Sequence, residues 1–282
     1  MARNKITIVF LLRNSCEAEL NLQEFISSLE VFPPGTDHDL LYIFKNFKPN
    51  EIKILVEKYK INNNNIIELP DTNFDIGSYY FSVNHIKTEY VIFLNTFSRP
   101  LYKNWLKLYL NALECHDTGL IGATGSYESF GFNPPIKDGY SLVDNIKRIA
   151  KFFYRISLSI INLQLTMQFP NPHIRTNAFL TKASIFKNYI DEIGLPNSKL
   201  DCHKIESGPN SYTNYALKNN LNPGVISSNG SFITLLNMHK SNVFRRGEQS
   251  ELIISDNRTN DYKESKNDRK RSLEWDAWRI NS

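Results

Sequence analysis

Cysteine is scarce: there are three in 282 residues, Cys16, Cys115 and Cys202, with no CxxC pair and no zinc-ligand spacing. A disulfide-stapled scaffold and a structural zinc site are thereby excluded, and a cytoplasmic setting is the simplest expectation. Long hydrophobic runs are missing too. No window approaches the roughly 18 uninterrupted apolar residues of a membrane-spanning helix. The first apolar run, residues 6–12, stops at Arg13 with no small-residue cleavage site after it, so it reads as a strand rather than a secretion signal. Nor is there much excess charge of one sign. Lys and Arg number 33 against 29 Asp and Glu, a net charge of +4. That is too little for a nucleic-acid-coating surface, yet it suits a local pocket for an anion. No P-loop, internal repeat or convincing linker is present, and the four asparagines at 62–65 are only a turn.

What the chain does have is an ordinary apolar content and enough length for one large α/β domain. In the first third, a continuous apolar run at residues 5–12 and strand-like segments at 39–44, 66–69 and 90–94 alternate with helical spacing at 17–29, 51–59 and 78–86. Strand and helix alternating at this spacing predict βαβ units and a mostly parallel, twisted sheet. Ligands of such sheets collect at the carboxyl ends of the strands. Further elements are expected as a helix at 105–115, strands at 120–124 and 178–181, and helices at 146–165, 183–190 and 206–219.

Several clusters at or beyond those strand ends could carry chemistry. Asp75, Gly77 and Ser78 stand where the third strand meets a helix, and free helix-start amides suit phosphate. Asn95, Thr96 and Ser98 follow the fourth strand, where a nucleotide-sugar enzyme places metal-binding acids. Neutral oxygens alone hold Mg²⁺ or Mn²⁺ poorly, and Arg99 could offset diphosphate charge instead. Residues 122–126 (GATGS) bring small side chains to a strand end. In the proline-stiffened stretch 170–177, His173, Arg175 and Asn177 present polar heads suited to a sugar or phosphate. Glu206, beside Gly208 and expected ahead of a helix, is a candidate general base, with Asp201 its competitor. Arg245, Arg246 and Arg258 could clamp a diphosphate from a C-terminal lid. Each cluster also has a plain reading as caps, turns or solvated charge. Residues 147–167 join Lys147, Arg148, Lys151 and Arg155 to an apolar, aromatic run, which suits peripheral membrane contact as well as a core helix with a basic rim.

The strings FDIGSYYFSV, VIFLNTFSRPLYKNWL, GLIGATGSYES, FPNPHIRTNAFL, IESGPNSYT and SDNRTNDY, in this order across almost the whole chain, resemble a bacterial glycosyltransferase family. That family lies near the family 2 and rhamnan-synthesis enzymes of surface-polysaccharide synthesis (capsule, O-antigen, lipopolysaccharide). The resemblance implies a single GT-A-like domain over residues 1–282. A nucleotide-sugar-binding half would span residues 1–125 and an acceptor-binding half residues 126–282. It implies a nucleoside diphosphate sugar donor, with Arg13, Asp75, Gly77, Asn95, Thr96, Ser98, Arg99 and Arg246 on the donor side. The loops after the first and second strands, around residues 12–14 and 45–47, would hold base and ribose. His173, Arg175 and Asn177 would contact acceptor or phosphate, and Glu206 would be the acceptor-side base of an inverting transfer. The acceptor would be a glycan or a lipid-linked glycan, met in the cytoplasm or at the inner face of the cytoplasmic membrane. The family's Asp-x-Asp motif falls on Asn95-Thr96-Phe97, without its carboxylates. Mg²⁺ or Mn²⁺ therefore stays a candidate cofactor only, and an inactive carbohydrate-binding protein is the alternative.

Overall fold

A computed structural model describes residues 6–129 and 169–279, together with 142–143, 145–147, 149–150 and 153. Its centre is an eight-stranded mixed sheet. Four parallel strands, β1 (Ile6–Arg13), β2 (Asp39–Lys45), β3 (Ile66–Leu69) and β4 (Tyr90–Leu94), form one half. Beyond them come β5 (Arg99–Pro100), β6 (Leu120–Gly122), β7 (Gly125–Ser126), β8 (His173–Ile174), β9 (Ala178–Lys182), β10 (Gly224–Ile226), β11 (Phe232–Thr234) and β12 (Ile254–Ser255). The order in the main sheet is β11-β10-β6-β9-β4-β1-β2-β3. β9 and β11 run antiparallel to their neighbours, so the predicted parallel sheet is mixed at its far half.

Alternation along β1 explains the layers. Ile6, Ile8, Phe10 and Leu12 face one core, where they meet α1 (Ala18–Val31), α2 (Pro49–Tyr59) and α4 (Trp105–His116). Val9 and Leu11 face the other, where they meet α3 (Phe74–Val83), α5 (Ala183–Ile193), α6 (Lys199–Ser207) and α7 (Tyr212–Lys218). A strand buried on both faces must read as a continuous apolar run, as this one does. Ring packing stiffens each layer. Phe10 stacks on Phe25 at 3.8 Å between centroids, and Tyr79 stacks on Phe93 at 4.6 Å. Two C-terminal helices, α8 (Asn257–Glu264) and α9 (Asn267–Trp278), complete the chain.

Three departures from the sequence reading bear on the site. The helix expected over 78–86 starts at Phe74, so Asp75 and Ser78 lie inside it and Asn73 is its N-cap. The helix expected over 206–219 is broken after Ser207 by Gly208 and Pro209, which leaves Glu206 in the last turn of α6 rather than ahead of a helix. A Cβ at Gly208 would lie 2.7 Å from the Lys204 carbonyl oxygen, so this tight exit requires glycine. The strand expected over 120–124 stops at Gly122, and the chain then pairs β7 with β8, whose residues lie in the proline-stiffened stretch 170–177. Most of the 146–165 helix and of the 147–167 membrane candidate lies outside the described residues. Among the described residues, no helix is long and apolar enough to cross a membrane.

Candidate functional site

The strand order reverses direction around β1: β2 and β3 lie to one side and β4 to the other. At such a switch the flanking loops splay apart and open a crevice beyond the carboxyl ends. Arg13 ends β1, Lys45 ends β2, and residues 95–98 follow β4.

On the β2–β3 side the key residue is Lys45, whose side chain is fully buried. Its ammonium donates to the Thr72 carbonyl at 2.8 Å and to the Phe74 carbonyl, which leaves one N–H uncommitted. Burial lowers its pKa, opposed by Asp75 nearby. These bonds hold Asn73 and Phe74 in the left-handed region, at φ 55° and 52°. For an aromatic residue that is a strained conformation. The Asn73 amide braces the same turn by donating to the Pro196 carbonyl at 3.2 Å. Asp75 follows, in the first turn of α3. Burial raises its pKa, and Arg13 and Lys45 only partly offset this. Arg13 pairs with Asp71 at 2.6 Å, with both side chains more than 40% exposed (42% and 45%). Gly77 is no open cradle: a Cβ there would lie 2.2 Å from Asn73 Cβ, so its missing side chain is what lets the turn close on the helix.

The turn after β4 is committed to the fold. Asn95 Oδ1 accepts from the Phe97 N–H at 3.1 Å and from the Ser98 hydroxyl at 2.9 Å. Thr96 Oγ1 donates to the Leu11 carbonyl at 2.9 Å and accepts from the Arg13 N–H at 3.1 Å, which ties β4 to β1. Arg99 makes five hydrogen bonds, to the carbonyls of Thr96 and Ser98, to Asn21 Oδ1 and twice to Glu24 Oε2. All its donors are thereby spent on the α1 face of the sheet. The donor chemistry at 95–97 does not fit a divalent cation, because no carboxylate is present and the oxygens already have partners. Among the described residues, no group of three or more His, Cys, Asp or Glu side chains could hold a metal.

β8 and the stretch that follows it build a second cluster. Glu206 Oε2 accepts from the Thr176 N–H at 2.9 Å and from the Thr176 hydroxyl at 2.6 Å. Burial pushes this carboxyl up, but His173, Arg175 and the Thr176 bonds outweigh it and hold the pKa below the ordinary glutamate value. His173 is buried, with Nδ1 against the Asn171 carbonyl at 2.8 Å. Arg175 donates from Nη1 to Thr124 Oγ1 at 3.1 Å and to Asp256 Oδ2 at 2.9 Å, and it lies 4.4 Å from the Phe244 ring centroid. Asn177 accepts from the Thr124 hydroxyl at 3.3 Å, while its buried Nδ2 has no partner among the described residues. Cys202 lies near charged groups of both clusters. Burial pushes its thiol up to about 12, and Asp75, Asp201 and Glu206 push the same way while Lys45 opposes them.

Asp75 and Glu206 are thus brought to one region, with Arg13, His173 and Arg175 around them. Arg246 is not among these; it lies beside Glu274 on α9. Asp201 caps α6 through Ser198. Sequence reasoning missed Thr176, Thr124 and Asp256, and met Lys45 only as a loop edge. Asp256 had a readable signal, since Asp-Asn-Arg-Thr is a helix N-cap pattern, and its side chain does accept from the Arg258 and Thr259 amides at 2.9 and 2.8 Å. Its ion pair with Arg175, 81 residues away, had none.

No protein-family model matches the sequence, and no curated protein matches it. Among solved structures, the chain is similar to the mannosyltransferase PcManGT from Pyrobaculum calidifontis, determined in complex with GDP-Man and Mn²⁺. That match has 9% identity and a TM-score of 0.40 and covers 68% of this chain and 47% of that one. Residues 1–349 of S. aureus TarS match at 16% identity and a TM-score of 0.38, over 70% of this chain and 52% of that one. HddC from Yersinia pseudotuberculosis matches at 13% identity and a TM-score of 0.37, over 65% of this chain and 79% of that one. The chain therefore spans about half the length of the first two.

Proposed function

We propose that the protein is an inverting GT-A-like glycosyltransferase that moves a sugar from a nucleoside diphosphate sugar to a glycan hydroxyl in bacterial surface-polysaccharide synthesis. One observation carries this reading. Glu206, a carboxyl held below its ordinary pKa with one oxygen fixed by Thr176, lies near Cys202, and so do Asp75 and Lys45 from the β2–α3 side of the strand-order switch. In this reading Glu206 takes the proton of the acceptor hydroxyl as its oxygen bonds to the anomeric carbon. The anomeric C–O bond on the opposite face breaks, and the nucleoside diphosphate leaves with the electron pair. A carboxyl held below the ordinary range is ionised at neutral pH and ready to accept. The Glu206 Oε1 oxygen makes no hydrogen bond among the described residues, so it is the one assigned to the acceptor. Arg13 and the outer guanidinium of Arg175 are the cations for the departing diphosphate, Lys45 positions the 72–74 turn from beneath, and Asp75 faces donor hydroxyls. Arg99 drops out of that role because its donors are spent. No step is routed through a metal. Peripheral contact with a membrane that carries a lipid-linked acceptor belongs to the same proposal, as does the assignment of residues 1–125 to donor and 126–282 to acceptor.

The test is a thermal-shift screen of nucleoside diphosphates and their sugars, followed by a nucleoside diphosphate release assay on the donors that bind. Native-state ligands raise the apparent stability in proportion to ln(1 + [L]/Kd). Glu206→Gln should keep donor binding and lose about 10²-fold or more in turnover. Turnover unchanged in that variant removes Glu206 from the chemistry. No shift with any nucleoside diphosphate removes the donor reading.

A further inference from the structure

On the opposite, α1 face of the sheet lies a cavity of about 320 Å³ that the transfer chemistry does not use. Its size sits at the low end of small-molecule sites, which run about 300–1,000 Å³. One wall is a face of α8. Asn257, Asn260, Asp261 and Glu264 recur there at helical spacing, so one stripe of the helix is entirely hydrogen-bonding. Phe97, 38% exposed, closes one end.

The charge inventory decides what such a site takes. Of the carboxylates on the lining, Glu24 is paired with Arg99 and Asp261 with Arg269. Glu264 alone is left over, so an anion finds no free cation there. A divalent cation is disfavoured as well, because no three acidic or imidazole side chains among the described residues converge. What is free are the Asn257 and Asn260 amides and the Glu264 carboxylate, none of which makes a side-chain hydrogen bond among the described residues. Planar amides and carboxylates beside an exposed aromatic ring match one ligand class. A pyranose presents paired hydroxyls to planar donors and acceptors, and lays its C–H face on the electron-rich face of a ring.

We infer that this groove binds one neutral pyranose unit of a glycan, with Phe97 as its platform and Asn260 and Glu264 as hydroxyl partners. The ligand class follows from the groove alone; that the bound unit belongs to the acceptor chain rests on the transfer reading above. The test is saturation-transfer NMR on the full chain, without donor, with neutral methyl pyranosides and uncharged oligosaccharides. Saturation should reach at least one saccharide. Phe97→Ala and Asn260→Ala should each weaken its binding about ten-fold or more, and Phe97→Trp should restore it. Asn260→Ala should keep the wild-type melting temperature because Asn260 is exposed, and Phe97→Ala, which gives up partly buried apolar area, is compared at a temperature where circular dichroism shows it folded. Absence of transfer to every saccharide, or unchanged affinity in both alanine variants, overturns the inference. Nucleoside diphosphate binding, measured in parallel, reports separately on the transfer reading.

Discussion

Asp256 offers a test of the architecture that needs no substrate. Its side chain is wholly buried and makes three contacts. Oδ1 caps α8 by accepting two backbone amides, and Oδ2 accepts from Arg175 at 2.9 Å, whose side chain is 13% exposed. Asp256→Ala deletes all three. Loss of the cap costs about 0.5–2 kcal/mol. Stranding a buried guanidinium costs about 3–5 kcal/mol. The lower part of that range applies because Arg175 keeps its Thr124 bond and its Phe244 contact. The sum is about 4 kcal/mol, a large part of the roughly 5–15 kcal/mol that holds a domain together. Asp256→Asn separates the two terms. Asparagine caps as well as aspartate, but it turns an amide donor toward Arg175 Nη1, so about 3 kcal/mol should remain. The assay is urea unfolding followed by circular dichroism, run on Asp256→Ala, Asp256→Asn, Arg175→Met and the Arg175→Met, Asp256→Asn pair. The double variant should be more stable than the sum of the singles predicts by about 2 kcal/mol, since removal of both charges strands neither. A loss below about 1 kcal/mol for Asp256→Ala, or additive singles, would refute the buried ion pair as the joint between α8 and β8.

Gly77→Ala should destabilise by about 2 kcal/mol in the same assay although alanine is the better helix former, because the new Cβ meets Asn73 at 2.2 Å; a gain in stability would show that the turn is slack. Lys45→Met should cost about 2 kcal/mol by leaving the Thr72 and Phe74 carbonyls without their donor, and should weaken nucleoside diphosphate binding in a thermal-shift titration; unchanged affinity would detach the 72–75 turn from the donor site. The Glu206 pKa is depressed on folding, so its contribution to stability is complete above the unfolded glutamate value of about 4.3 and disappears as pH falls through the lower folded value. The stability gap between wild type and Glu206→Gln should therefore be constant from pH 7 to about pH 5 and close under stronger acid, and a gap that opens as pH falls would reverse the assigned sign.

The parallel half of the fold was legible because period does most of the work there. Residues 90–94 form a strand where their apolar run begins and ends, since a strand buried on both faces admits no polar residue to blur the edge; the edge strand at 66–69 keeps its expected bounds although Glu68 within it is exposed. Helix starts were read less well. At α3 the helical spacing reads from Ser78, whereas the backbone enters the helix at Phe74, through two left-handed residues that Lys45 holds in place. That is a tertiary contact across 29 residues, and no local propensity encodes it. The antiparallel insertion of β9 between β4 and β6 was equally silent, because a strand's residues record their burial and not their direction.

The candidate site divides along the same line. Residue types that suit the chemistry are visible in sequence, but whether their polar atoms are free is decided by partners far away in the chain. Asn95, Thr96 and Arg99 looked like ligands because they follow a strand end; in three dimensions their oxygens and N–H groups close the turn and pin it to β1 and α1. Glu206 looked like a helix cap as much as a base, and what singles it out is Thr176, which occupies one oxygen and orients the other. Thr176 sits in a stretch held at one side by Arg175, and Arg175 is held by Asp256 at the start of α8. The carboxylate nearest the proposed chemistry is thus positioned in part by α8, which adds no strand to the main sheet. Loosening that helix should change the crevice before it unfolds the strands: Asp256→Asn, still folded at 25 °C, should lose turnover while its β-sheet circular dichroism is unchanged. Full activity in that variant would mean that Glu206 is oriented by Thr176 alone.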